Sequence, residues 1–286
     1  MPAIPAPEAG DVSGSAAEQR YFMEHRSLGS PMHRLRLLCA LTYVASLLAE
    51  PVMGATPVAK PSATDILAKS QATYAALKSY SDRGTVLVET GNPKSPDKEH
   101  RSFTTYYHAP RQFLMINKKE DGSGEELVVW CEGDGKDFMG WWTASNTLTD
   151  YPQGQGAVAF ATASYPTLST AVMIPSWLFA GAGLQGPLTS FNLTRDGGVE
   201  TLNGGQTYKL IGEEVQAYGT GNVTGTRSIT IWIDATTLLI RKVVEDTPHD
   251  SPAGDLSRQT TTFEPTANPP LDAARFHYVP PAGAKH

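Results

Sequence analysis

The stretch SITIWIDATTLLIRKVVED, residues 228–246, constrains the fold more than any other part of the chain. Ile229, Ile231 and Ile233 recur at every second position, the period of a β-strand. A second branched run follows after Asp-Ala-Thr-Thr, so the segment predicts a hairpin. With residues 234–237 as the turn, Ile233 should face Leu238, Ile231 should face Ile240, and Ile229 should face Lys242. Trp232 and Leu239 should then point to the other side, beside Thr230 and Arg241. One face of this hairpin is strongly apolar and must be covered by another layer or by a ligand.

The rest of the chain repeats the theme. Residues 84–90, 100–119, 125–142, 147–151, 199–215 and 256–265 carry further strand signals, with Pro110 breaking the second into two. One amphipathic helix precedes them. Ser62 is a candidate N-cap with Asp65 three residues on, and Ile66, Ser70, Tyr74 and Leu77 fall at helical spacing. The spacing predicts about five turns, ending near Ser81. Residues 156–183 are Ala-rich and apolar without strand alternation, and Pro166 and Pro175 divide them into short helical pieces. The order predicts an α+β protein: a single curved antiparallel sheet, an unclosed half-barrel of eight to eleven strands. The N-terminal helix and a short helical insert should cap its concave face.

Residues 32–55 have the layout of an export signal. Arg34 and Arg36 precede an apolar run over 37–49, and small residues follow at Gly54 and Ala55, with cleavage after Gly54 fitting best. The run is too short for a comfortable membrane span; an uncleaved segment would act as an anchor. Residues 1–31 are polar and aperiodic, as expected of a disordered leader or an over-extended start with Met32 as the true initiator. The folded domain is expected over 62–284, in the periplasm and as a monomer. Net charge is −6 with no Lys/Arg run, which argues against nucleic acid as partner. Cys39 lies in the apolar run, so Cys131 is left unpaired and no disulfide is expected.

Catalytic motifs are missing from the sequence: no GxSxG, HExxH, GxxxxGK[ST] or GxGxxG. The histidines are scattered, and Glu125-Glu126 and Glu213-Glu214 are strand neighbours that point apart. No metal, cofactor or catalytic residue is assigned. The informative set is apolar. Phe113, Met115, Trp130, Phe138, Trp177, Phe179, Ile229, Ile231, Ile233, Leu238 and Ile240 are the candidate lining of a cavity for a greasy ligand. Arg111 is a candidate for its polar mouth.

Several segments resemble the LolA-like superfamily of periplasmic lipoprotein carriers, and within it the group of predicted periplasmic proteins of the DUF2092 type. DAARFHYVPPAGA (272–284) resembles the family's C-terminal signature, HAPRQF (108–113) its Arg-Pro strand start, and LVVWCEGDGKDFMGW (127–141) its strand–turn–strand hairpin. LKSYSDRGTVLVE (77–89) and ITIWIDATTLLIRKVVE (229–245) fit in order. The resemblance implies a half-barrel whose hollow holds lipid acyl chains, with a lipid or acylated protein as partner and an envelope protein as a further one. The sequence departs from the family at one place: Ala109 stands where the carrier has an Arg before the Pro, and the nearest cation is Arg111. Handing on of a lipoprotein therefore does not follow from the resemblance. The alternative is an envelope module with a filled core that binds a protein partner.

Overall fold

The computed structural model describes residues 60–133, 135–151, 173–179, 192–218, 223–248 and 256–285. The leader-like segment and most of the Ala-rich insert lie outside the described residues. All that follows belongs to one unit, Pro57–His286.

Helix α1 (Ala63–Ala75) begins as its sequence predicts. The Ser62 hydroxyl accepts from the Asp65 amide, and the Asp65 carboxylate accepts from the Ser62 amide, a reciprocal cap. The helix stops earlier than expected, at the cap residue Ala76. Residues from Ser79 on are claimed by the sheet, where Tyr80 pairs with Tyr107 on one side and Ala267 on the other. Two ladders of backbone hydrogen bonds outcompete one more helical turn.

Strands β1 (Ser79–Gly91), β2 (Asp97–His108), β3 (Gln112–Lys119), β4 (Glu126–Cys131), β5 (Phe138–Trp142) and β6 (Thr147–Tyr151) form a meander. Helix α2 (Met173–Leu178) follows. Strands β7 (Asn192–Leu202), β8 (Gly205–Tyr218), β9 (Val223–Asp234), β10 (Ile240–Pro248) and β11 (Leu256–Phe263) form a second meander, which β11 joins to β1. A two-residue β12 (Thr266–Ala267) also pairs with β1. The result is one twelve-stranded antiparallel sheet, ordered β6-β5-β4-β3-β2-β1-β11-β10-β9-β8-β7 with β12 beside β1. Its ends, β6 and β7, do not meet, so it is an unclosed half-barrel with α1 and α2 as its helices.

Period-two alternation gives the sheet two unlike faces. On the concave side, Val86, Phe103, Tyr107, Phe113, Met115, Val129, Phe138, Leu210, Val243 and Phe263 join α1 and α2 in one buried cluster. On the convex side, Leu114, Val128, Trp130 and Trp141 are covered by the C-terminal tail through Phe276. Tyr278 lies 5.0 Å from the Trp130 ring and 6.1 Å from Trp141. The tail turns through a short 3-10 helix (Ala273–Phe276), capped by Asp272. It ends with Lys285 bonded to Asn146 and Leu148 beside the sheet's outer strand. The family-like signature in the tail thus serves as the cover of the convex face.

The opening hairpin departs from its predicted register. Its turn is longer: the Asp234 amide donates to Leu239 O, and the Asp234 carboxylate collects the amides of Thr236 and Thr237. Leu238 takes a left-handed φ of 59° to close it. Ile233 therefore pairs with Ile240, not Leu238. A register shift between Ile240 and Lys242 then inserts one extra residue and flips the parity. Ile231 faces Val243 in place of Ile240, and Ile229 faces Glu245 in place of Lys242. Lys242 moves to the convex side, its ammonium 4.9 Å from the Trp232 ring. Leu239, expected beside Trp232, is buried in the concave cluster.

Candidate functional site

The concave face is divided along the strand direction into an apolar end and a polar end. The apolar end lies under the helices. Ile233 and Ile240 are buried there with Leu238 half-buried against them, while Ile231 and Ile229 are buried further along the same strand, opposite Val243 and Glu245. Tyr74 of α1 reaches down to this wall: its hydroxyl accepts from the Ile240 amide at 3.0 Å, while the Ser70 hydroxyl donates to Leu238 O at 2.7 Å. The Tyr74 ring packs against Trp177 of α2, centroids 5.5 Å apart. The wall of Ile240 is thus tied to α1, and Trp177 stands against the residue that ties it.

Further along, Phe179 at the end of α2 is the centre of an aromatic cluster. It meets Tyr107 edge-on at 5.2 Å and lies 5.5 Å from each of Phe113 and Phe138. Met115 is buried on the same side. Helix α2 itself is apolar: Ile174, Pro175, Trp177 and Leu178 are buried, as is Phe179 after it, and only Ser176 is polar. Arg111 sits at the margin, its guanidinium 5.5 Å from the Phe138 ring and one of its terminal nitrogens donating to Lys136 O.

Ten of the eleven predicted lining residues are therefore brought to the concave side. Trp130 is the exception and is corrected: it lies on the convex side, beneath the tail. Its strand, β4, buries both faces, so apolar character alone could not choose between them.

Beside Tyr74, two further titratable groups are buried, Tyr80 and Asp82. Burial pushes the Tyr80 phenol well above its usual range, and its hydroxyl donates to Asp82 at 2.7 Å. Burial pushes the Asp82 carboxyl up to about 7, against the opposing pull of Tyr80 and of the Glu264 amide.

The polar end has no counterpart in the sequence reading. Arg101, with 3% of its side chain exposed, donates to Glu99, to Asn117 and to Glu125. Lys119 bridges Asp121 and lies 3.8 Å from Glu99. Across the hollow, Arg227 donates twice to one oxygen of Glu245 and lies 3.6 Å from Glu214. Gln259 and Thr261 are buried between the two groups, on the strand that pairs with both β1 and β10. In the sequence these residues are scattered over separate segments, with Glu125 and Glu214 each in a carboxylate pair that strand alternation splits. Parity was the available signal: Arg101 shares the face of Phe103, Thr105 and Tyr107, all of them buried. On the convex side, open grooves of about 390 and 430 Å³ meet at Tyr106, over which Arg275 lies at 4.5 Å.

No model of a known protein family matches the sequence. No curated protein matches it either. Among solved structures the chain is similar to LprF from Mycobacterium bovis, at 15% identity over 73% of this chain and 93% of that one, with a TM-score of 0.41. It is also similar to a LolA superfamily protein from Nitrosomonas europaea, at 11% identity over 77% and 99%, TM-score 0.29. A third likeness is to the MucA/MucB complex of Pseudomonas aeruginosa, at 16% identity over 76% of this chain and 60% of that one, TM-score 0.39.

Proposed function

We propose that the protein is an exported, non-catalytic carrier that holds an acyl chain of a lipid or lipid-modified protein against the concave face. The observation that carries this reading is the seat of Phe179. A single apolar side chain, directly after a helix of six residues, fills a slot walled by Tyr107, Phe113 and Phe138. Those contacts are dispersion and edge-to-face ring contacts, which an alkyl chain replaces without leaving a hydrogen bond unmade. Each methylene seated there contributes about 0.8 kcal/mol. Helix α2 then acts as a plug that the ligand displaces. The sequence resemblance to the LolA-like carriers supports the same reading, and the signal-like segment over 32–55 supports export. Among the described residues no helix is long and apolar enough to cross a membrane.

Native mass spectrometry of the exported protein tests the proposal. A co-purifying lipid mass is the expected result; a clean unliganded mass across independent preparations refutes it. One observation favours a second reading. The Ile240 wall is bonded to Tyr74, and the neighbouring aromatic slot is filled, as in a module whose core is complete and whose partner is a protein. The unliganded mass, together with a protein that co-purifies in stoichiometric amount, is what that reading expects.

A further inference from the structure

Arg111 carries a charge that the protein does not meet. Its guanidinium makes one hydrogen bond, to Lys136 O at 3.4 Å, longer than the usual range of about 2.7–3.2 Å. Its Nε is buried without a hydrogen-bond partner. Among the described residues no carboxylate forms an ion pair with it. In the turn after β4, Glu132 is bonded to His277 of the tail, and Asp137 is exposed and makes no ion pair with Arg111. Arg101, Lys119 and Arg227 differ, because each of them meets a carboxylate. A half-buried charge beside an orphaned N–H is costly, so it marks a place where an anion belongs.

That place adjoins the slot of Phe179. The Arg111 guanidinium lies 5.5 Å from the centroid of the Phe138 ring. The Phe179 centroid lies 5.5 Å from the same ring. One aromatic ring therefore separates the cation from the plug. Arg111 also stands two positions before Phe113, a second wall of the slot. An acyl chain that takes the seat of Phe179 and runs along Phe138 ends beside the guanidinium. The rings fix the order, with the chain against Phe113 and Phe138 and the headgroup beyond them at Arg111.

The guanidinium decides what the headgroup is. Its Nε and a terminal nitrogen form a planar fork that matches two oxygens of one anion. The face of Phe138 attracts the cation but leaves its charge in place. An uncharged headgroup would leave both the charge and the orphaned Nε unmet, and a cationic one would be repelled. Resting on the carrier reading above, we infer that the ligand is an amphiphile whose chain ends in an anionic group with two free oxygens, a carboxylate or a phosphate, held by Arg111.

The test is calorimetric titration of the full chain, below micellar concentrations, with three amphiphiles of equal tail: decanoate, decyl phosphate and uncharged 1-decanol. At least one anion is expected to bind about ten-fold or more tightly than decanol, the strength of a charge-assisted hydrogen bond. The chain's net charge of −6 works against anions in general, so such a preference is local. Tighter decanoate names a fatty acid as the source of the headgroup, and tighter decyl phosphate names a phosphate-headed lipid; either supports the assignment. Arg111→Met, which keeps an apolar stem over Phe138, is expected to erase the preference and leave decanol binding unchanged. Arg111→Lys keeps the charge and loses the fork, so only part of the preference should survive. No anion preference, or one undiminished by Arg111→Met, overturns the headgroup assignment while the carrier reading stands. Should the Met variant fail to fold, a preference undiminished in Arg111→Lys overturns it instead. Binding of none of the three overturns both.

Discussion

Replacing Phe179 by alanine separates a plug from an ordinary core residue. The ring is 7% exposed and touches three other rings. Removing a buried phenylalanine costs about 3–5 kcal/mol, the spread reflecting how far the site can collapse. Here the residue follows a helix of six residues, which can settle toward the sheet, so the lower end, about 3 kcal/mol, applies to the unliganded protein. A seated acyl chain would fill the same slot with the ring already displaced. The loaded protein should then lose almost nothing. By linkage the substitution raises acyl affinity, by up to about a hundred-fold at about 1.4 kcal/mol per decade. Urea unfolding with and without a saturating fluorescent fatty acid gives both stabilities, and titration with the same probe gives the affinity. Equal destabilisation of free and loaded protein, or weaker binding by the variant, refutes the plug.

Three further outcomes follow from single residues. Gly84→Ala should destabilise by about 3 kcal/mol or more on urea unfolding, because a Cβ there would come within 2.2 Å of both the Phe103 ring and the Thr262 carbonyl. Asp82→Asn should flatten the pH dependence of stability. The native carboxyl titrates near 7 and the unfolded one near 3.8, so the wild-type protein loses stability as pH rises from about 4 to about 7. The full loss is about 4 kcal/mol, at 1.36 kcal/mol per pH unit, and thermal melts of both proteins across that range should converge at pH 4. Phe276→Ala should cost about 3–5 kcal/mol by denaturation yet leave acyl affinity unchanged, because Phe276 packs on the convex side.

The architecture was legible where local pattern and long-range pairing agree. The capping box at Ser62 and Asp65 and the alternation of Ile229, Ile231 and Ile233 both survive into the fold. The hairpin register failed by a single-residue offset. The extra residue at Arg241 reverses every side chain after it, and no local preference of Ile-Arg-Lys-Val announces it. The helix end failed because Tyr80 finds two strand partners that lie 27 and 187 residues away in the chain. Trp130 was assigned to the wrong side because β4 is apolar on both faces, one covered by the tail and the other turned into the concave cluster. The polar end was missed for a different reason. Arg101, Gln259 and Glu245 belong to three strands, and only the ladders place them on one surface.

The tail's last contact has a consequence for solubility. A sheet that does not close has an edge strand such as β6, and an edge strand invites pairing with the same strand of another molecule. Lys285 occupies that edge: its amide donates to Asn146 O and its carbonyl accepts from the Leu148 amide, in a parallel bridge with Thr147. The Asn146 side chain adds a bond to Gly283 O. The segment that roofs the tryptophans thus also stands guard against edge-to-edge aggregation, and it places a lysine, a charge suited to that task, at the seam.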